Sequence, residues 1–439
     1  MSPSSLSTQQ FERTVDRWVR DAVTHGHTSL DRIIQALPGV YPSVVRDALR
    51  RVASQPLTAV DLKVFQQTLW PQLAPPAPHV ITLPIPHPLD YDWRFSEATV
   101  ADLLNMSGSL AAPDATIALL GTPSIMRAII EAPRPYQFTL LEANAVMTTF
   151  LTQVASTARI VRCDVGRDQL PDITASVVIA DPPWYEEHIR SFLWAACQLC
   201  HVGGSVLMSV PPIGTRPGIA QEWERTQIWA ERLGLALVRL EPDALEYLTP
   251  PFERNALRAD GLDTIETTWR RGNLAIFIRQ ERRDIPRPPL PSRDGLWDEI
   301  QAAGVRIRLR RRTCAGFDDP SLVPLVPGQV LPSVSRRDPR RWHADVWTSG
   351  NRVFMCRGTP LLMTIIRTLA SGQSPVDGIL AQIGRPLTAL EQSLVTHATW
   401  QVKRLLACEQ RDSQDFWEGT VHDKPVHLVG RRTRGSRSG

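Results

Sequence analysis

The spacing of hydrophobic positions changes along this chain. Phe11, Val15, Trp18, Val19 and Ala22 fall on one face at helical spacing, so the N-terminal stretch reads as helix. A second helix starts near Ser29, carries Ile33, Ile34 and Leu37 inward, and ends at Pro38-Gly39. Pro42 opens a third, with Val44, Val45, Ala48, Leu49 and Val52 inward. Short helices joined by a tight turn predict a winged-helix-like module over 1–70. Prolines at 71, 75, 76, 78, 84, 86 and 88 then predict an extended linker over 71–89.

From 90 to 282 the pattern alternates between strand and helix. Strands are expected over 116–120, 137–141, 158–163, 176–180, 205–210, 236–240 and 274–279, with helices between most of them. The 176–180 run is continuously apolar, as in a parallel strand buried on both faces. This alternation predicts an α/β fold with a doubly wound, seven-stranded, Rossmann-like sheet, which binds ligands at the carboxyl ends of its strands. A second proline-rich stretch suggests a linker over 283–300. Residues 301–357 read as strand-rich. The stripe Leu361, Leu362, Ile365, Ile366, Leu369 and a turn at Ser371-Gly372 predict a second winged-helix-like module over 358–412. A basic tail is expected over 413–439.

Composition narrows the class. With 439 residues, 43% hydrophobic and 21% charged, the chain has the makeup of a soluble globular protein. It lacks an apolar run of the roughly 18 residues that span a bilayer, so no membrane partner is expected. Met1-Ser2-Pro3-Ser4-Ser5-Leu6-Ser7 is no signal peptide, and six cysteines make no disulfide framework; a cytoplasmic protein is expected. The net charge is only +4, but arginines cluster at 306, 308 and 310–312, at 336, 337, 340 and 341, and in the tail at 431, 432, 434 and 437. Such clusters either contact phosphates, making nucleic acid a candidate partner, or form solvated faces. The helical modules are alternatively surfaces for a homodimer or a protein partner. Cys197 and Cys200 lack a second Cys/His pair at zinc spacing, and no metal is expected.

Four predicted strand ends carry polar or turn residues where an open α/β sheet binds a nucleotide. The first is Gly121-Thr122-Pro123-Ser124, where glycine permits close backbone approach. Glu142 follows 21 residues after Gly121, the separation at which an acid takes ribose hydroxyls. Asp164 ends the third strand, placed to accept from an adenine amino group. The fourth is Asp181-Pro182-Pro183-Trp184-Tyr185.

The Asp181-Pro182-Pro183-Trp184 segment after a buried strand resembles the Asp-Pro-Pro-aromatic motif of amino-directed class I methyltransferases. The resemblance covers roughly residues 90–280. It implies an N-methyltransferase using S-adenosyl-L-methionine, with an acceptor such as a nucleic-acid base. Asp181, with Gly121, Thr122, Pro123, Ser124, Glu142 and Asp164, then serves the cofactor. Asp181, Pro182, Pro183 and Trp184 orient the target nitrogen, through a carboxylate, a proline-fixed carbonyl and an aromatic face. Tyr185, Glu187, Phe252 and Asn255 are candidates for substrate contact, the last two on a polar loop from Thr249 to Asn255. The single-glycine loop departs from the family pattern. The chain also resembles the branched-polyamine synthases, which join an N-terminal winged-helix module to a Rossmann-like core with a Leu-Gly turn and an Asp-Pro-Pro segment. Leu120-Gly121 and Asp181-Pro182-Pro183 match, and Glu186 and Glu187 suit a polyamine. That family's acidic run after the glycine is Thr122-Pro123-Ser124 here. A scaffold that keeps the fold without catalysis is the third reading.

Overall fold

The computed structural model describes residues 3–27, 29–37, 39–53, 81–262, 268–291, 296–313 and 316–420. The expected linker up to residue 80 and the arginine-rich end of the tail lie outside the described residues. Among them, no helix is long and apolar enough to cross a membrane.

The central element is an eight-stranded mixed sheet of β1 (Arg94–Phe95), β2 (Thr116–Leu120), β3 (Gln137–Glu142), β4 (Arg159–Arg162), β5 (Ala175–Ala180), β6 (Cys200–Val210), β7 (Leu235–Leu248) and β8 (Arg270–Arg279). Its order is β1-β7-β8-β6-β5-β2-β3-β4. Strands β4, β3, β2, β5 and β6 run parallel, while β8 is antiparallel to both β6 and β7. This is the Rossmann-like, methyltransferase-type sheet, with β1 added at the β7 edge.

Side-chain alternation explains why the parallel strands read so clearly. Ile117, Leu119, Val177 and Ile179 face one core, with Leu103, Ile125, Met147 and Leu151 from α4 (Glu97–Leu110), α5 (Pro123–Glu131) and α6 (Ala145–Val154). Ala118, Leu120, Val178 and Ala180 face the other, with Leu193, Ala196, Trp229 and Ala230 from α7 (Glu186–Leu199) and α8 (Ile219–Arg232). Strands buried on both faces must be apolar throughout. Cys197 and Cys200 are both buried in that second core.

The outer strands depart from expectation. β7 continues to Leu248, well past the expected end at 240, through register shifts at Leu237/Arg239 and Glu241/Leu245. Each shift re-aims the following side chains, which breaks the simple alternation a sequence displays. β8 begins at Arg270, so Arg270-Arg271-Gly272 is strand. The segment expected as a polar loop is largely helix α9 (Pro251–Ala259), opened by proline at its first turn.

At the N-terminus, α1 (Pro3–Thr24), α2 (Leu30–Ala36) and α3 (Pro42–Ala53) form a three-helix unit. Ser29 caps α2 by accepting from the Arg32 N–H. No wing strand lies among its described residues. Val15, Val19, Ile34, Val45 and Val52 share one core with Leu257, Leu262 and Trp269, so the unit rests on α9 of the central body.

The C-terminal part corrects two boundaries. β9 (Trp297–Ala302), β10 (Val305–Arg310), β11 (Val323–Pro324), β12 (Val346–Thr348) and β13 (Val353–Met355) form an antiparallel sheet ordered β11-β13-β12-β10-β9. Strand β9 starts inside the expected 283–300 linker. Helices α10 (Thr359–Ala370), α11 (Pro375–Ile383) and α12 (Ala389–Thr420) pack on this sheet, with Ile307, Leu309, Leu361, Ile365, Val395 and Val402 in one core. Segments 301–357 and 358–412 are therefore one unit of sheet and helices, not a strand-rich piece followed by a winged-helix module.

The described end of the proline-rich linker is also packed. Leu83, Ile85 and His87 are buried. Proline has no N–H to leave unsatisfied, so such a segment tolerates burial in extended form.

Candidate active site

The carboxyl ends of β2 and β5 meet at Gly121 and Asp181. The Gly121 N–H donates to Leu141 (3.0 Å), and the Asp181 N–H donates to Leu120 (3.1 Å). Gly121 has φ +63, and a Cβ there would sit 3.4 Å from the Asp181 carbonyl and from the Phe192 ring. The positive φ favours glycine; the contacts are close but of ordinary van der Waals length. Thr122, Pro123 and Ser124 follow as the buried start of α5. The Thr122 hydroxyl is buried without a hydrogen-bond partner among the described residues.

Asp181 sits in a hydroxyl and indole network. Tyr247 donates to its Oδ1 at 2.7 Å, and the Tyr247 and Ser209 hydroxyls lie 2.6 Å apart. The Trp184 indole N–H donates to Ser209 at 2.9 Å. Burial pushes the Asp181 carboxyl up to about 7; hydrogen bonds from Tyr247 and Ser209 oppose this, Asp92 adds to it, and Arg270 opposes it. Trp184 is therefore turned into the wall. Its ring stands edge-on to Tyr247 at 5.5 Å, and a Cβ on Gly272 would come within 2.8 Å of it. Arg270 lies 5.4 Å from the Trp184 ring and 4.8 Å from Trp93, and pairs with Glu253.

Glu142 ends β3. Its Oε1 accepts the Asn144 N–H at 2.8 Å. Burial pushes this carboxyl up to about 8; the Asn144 and Ala143 N–H groups oppose the shift, while Asp92 and Asp90 reinforce it. Asp164, after β4, accepts from the Gly166 N–H at 3.1 Å and pairs with Arg167 at 3.1 Å.

Tyr185 is not a free stacking face. The Arg336 guanidinium lies 3.9 Å from its ring centroid and Arg216 5.5 Å, with Tyr91 edge-on at 5.9 Å. Glu187 pairs with Arg336. His188 lies 3.4 Å from an Arg336 nitrogen and is held down to about 4 by burial and then Arg167, so it is neutral there.

The remaining two candidates lie elsewhere. Phe252 is fully buried edge-on to Trp93 at 5.0 Å. Asn255 is buried, and its amide donates to the Gly350 carbonyl (2.9 Å) and to Asp412 (2.7 Å), which ties α9 to the C-terminal unit. Both face packed protein because Thr249–Asn255 turned out to be mostly helix. Two surface cavities, of 590 Å³ beside Thr99 and Arg239 and of 340 Å³ beside Arg310 and Arg367, also stand away from Asp181.

Ser209, Tyr247 and Asp90 were not singled out by the pattern. Ser209 closes an anticipated strand and was findable as a polar residue at a strand end. Tyr247 lies beyond two register shifts and was not.

The residues present fit an S-adenosyl group. A glycine-lined approach at Gly121, an orphaned buried hydroxyl at Thr122 and an acid at the end of β3 stand at successive strand ends. Asp164 is the weaker fit, since its carboxylate already has two local partners.

No family model matches the chain, and no curated protein matches it in sequence. Among solved structures it is similar to the branched-chain polyamine synthase of Thermus thermophilus in complex with N4-aminopropylspermidine and 5′-methylthioadenosine, at 14% identity and TM-score 0.47, over 65% of this chain and 95% of that one. It is also similar to a TehB-like SAM-dependent methyltransferase of Corynebacterium glutamicum, at 14% identity and TM-score 0.30, over 41% and 87%. The N-methyltransferase NodS of Bradyrhizobium japonicum in complex with S-adenosyl-L-homocysteine is similar at 11% identity and TM-score 0.29, over 42% and 87%. These are likenesses of chain path.

Proposed function

We propose that this chain transfers an alkyl group from an S-adenosyl sulfonium to an amine nitrogen held by Asp181. One observation carries the reading: a carboxyl pushed up to about 7 at the end of β5, beside Gly121 and tied to Tyr247 and Ser209. A carboxyl with that proton affinity exchanges a proton near neutral pH, as a group receiving an amine's proton must. The sulfonium supplies the alkyl group and a neutral thioether leaving group. The protein's part is alignment and proton uptake. Asp181 accepts one N–H through Oδ2, while Tyr247 fixes Oδ1. The Pro183 carbonyl is taken by the Tyr185 N–H at 2.7 Å, which leaves the Pro182 carbonyl for a second N–H. Trp184 braces Ser209, and through it Tyr247.

Two versions of the transfer remain distinct. Transfer of a methyl group from S-adenosyl-L-methionine is favoured by the uncharged Thr122-Pro123-Ser124 start of α5. A helix N-terminus attracts a carboxylate and repels the ammonium that a decarboxylated cofactor carries there. Transfer of an aminopropyl group is favoured by Asp181 and the nearby Asp92, carboxyls that suit a cationic acceptor.

Incubation with either cofactor and a panel of amines tests this. Release of S-adenosylhomocysteine marks methyl transfer, and release of 5′-methylthioadenosine marks aminopropyl transfer. Neither product appearing with any amine, although cofactor binds, would leave the scaffold reading standing.

A further inference from the structure

The C-terminal unit reaches Glu142 through an unbroken chain of contacts. Arg306 and Arg308 on β10 both pair with Asp90, and Glu299 on β9 holds both arginines. Arg306 is 1% exposed, and its guanidinium also donates to the Ile85 carbonyl at 3.2 Å. These arginines belong to the first basic cluster, so neither is available to a phosphate or forms a solvated face. Asp90 accepts in turn from the Asn144 side-chain amide at 2.8 Å. The Asn144 side-chain oxygen Oδ1 caps α6 by accepting from the Val146 N–H (2.9 Å), and the Asn144 backbone N–H donates to Glu142.

From this chain we infer that the C-terminal unit is a working part of the cofactor site: Arg306 and Arg308 are positioning residues that hold Glu142 for the ribose, through Asp90 and Asn144. The inference rests on the proposed S-adenosyl site, with Glu142 in the ribose-binding role that its place after Gly121 implies.

Asp90 cannot hold its place unaided. It ends a three-residue helical turn and is followed by Tyr91 at φ +56, a strained backbone for a bulky residue. Such strain persists only where neighbours over-determine it. Asp90 and Arg306 are 216 residues apart, so the anchor comes from a separate unit of the fold. The quartet is balanced, two carboxylates against two guanidiniums, and loss of one member strands an unpaired buried charge.

Charges around Glu142 give a readout that a structural role alone would not move. Asp90 and Asp92 face it and favour its protonated form; Arg306 and Arg308 stand behind Asp90, and Arg94 pairs with Asp92. Replacing Asp90 by asparagine removes one of those negative charges while loosening the hold on Asn144. The two effects act in opposite directions on two separable observables.

S-adenosylhomocysteine is titrated calorimetrically into the full chain between pH 5.5 and 9. Affinity of the unaltered protein rises with pH as Glu142 ionises. In Asp90→Asn the affinity at the alkaline plateau falls by about tenfold or more, the size of one charge-assisted hydrogen bond. At the same time the midpoint of the pH dependence moves down. Arg308→Gln, at a less buried arginine, also lowers the alkaline plateau but moves the midpoint up, because a cation is lost, and Arg308→Lys restores part of both. Folded Asp90→Asn and Arg308→Gln proteins with unchanged plateau and midpoint would overturn the inference. Absence of binding to the unaltered chain, or a Glu142→Gln variant that binds normally, would instead defeat the role proposed for Glu142.

Discussion

Asp181 follows β5 at the β5–α7 corner, and Asp90 accepts from Asn144, just after β3, at the junction with the C-terminal unit. Burial raises the proton affinity of each. Asp90 meets two guanidiniums, which hold it down at about 2. Asp181 meets hydroxyls, the like charge of Asp92 and a more distant Arg270, and is left at about 7. One region is a fixed charge that builds structure, and the other exchanges a proton near neutrality. Their difference comes from partners, not from depth.

Removing the carboxylate at Asp181 should break the contrast most severely. Asp181→Asn keeps the shape and loses the proton acceptor. Product release should fall by about 10²–10⁴-fold, while calorimetric affinity for the cofactor stays within about threefold, well under one hydrogen bond's worth. Parallel loss of both would place Asp181 in the cofactor site alone.

Tyr247→Phe sharpens the contrast by deleting one of the groups that hold Asp181 down. The carboxyl should move above about 7, and the acidic limb of a pH–rate profile should shift to higher pH. At pH 7 a rise of about one unit takes the base from about half to about one-tenth ionised, so the rate should fall about fivefold. An unshifted limb would mean that Asp181 is not the titrating group.

The same two regions predict opposite pH dependences of folding. Asp181 and Glu142 bind protons more tightly folded than unfolded. Between their ordinary values near 4 and their raised values near 7 and 8, the folded state carries the extra protons, so stability falls as pH rises. Asp90 is depressed, so its contribution is present above its ordinary value and is lost as pH falls toward 2. The depressed His188 opposes this below its ordinary value near 6.5. Thermal melts from about pH 6.5 to 8 should therefore show Tm declining, and Asp181→Asn should flatten that decline.

Gly272→Ala should act more gently. The added Cβ meets Trp184 at 2.8 Å and Tyr247 at 3.2 Å, so the Trp184–Ser209–Tyr247 brace must shift. Overpacking of this kind costs about 1–3 kcal/mol, read by thermal melting. The smallest effect is expected from Thr122→Val, which removes an orphaned hydroxyl: stability unchanged or slightly raised, and cofactor affinity lowered severalfold, about 1 kcal/mol.

The comparison also marks what a sequence displays. Strand β2 matches its expected span, and β3 and β5 match within a residue, because strands buried on both faces must be apolar throughout. Gly121, Glu142 and Asp181 were visible as a turn residue and two acids ending such strands, and Asp164 as an acid after the edge strand β4. Tyr247 was hidden by register shifts, and α9 by a proline-rich start that resembles a loop. Asp90 carries no local sign of its role, since its arginine partners lie more than 200 residues away and pair only once two units are folded together. Tyr185 and Glu187 were legible as aromatic and acid beside Asp181; that Arg336 covers both was not. The second basic cluster reads as free charge until its carboxylate and ring partners are known.

The central claim is that Asp181 stands ready for an amine beside a bound S-adenosyl group. The most direct test is calorimetric titration of the full chain with S-adenosyl-L-methionine, its decarboxylated form and S-adenosylhomocysteine, each at pH 7 in two buffers of different ionisation enthalpy. The account predicts that at least one binds, and that a sulfonium ligand releases protons on binding, because its positive charge lowers the proton affinity of the raised carboxyls Asp181 and Glu142. Binding by none of the three, or sulfonium binding with no proton release, would contradict it.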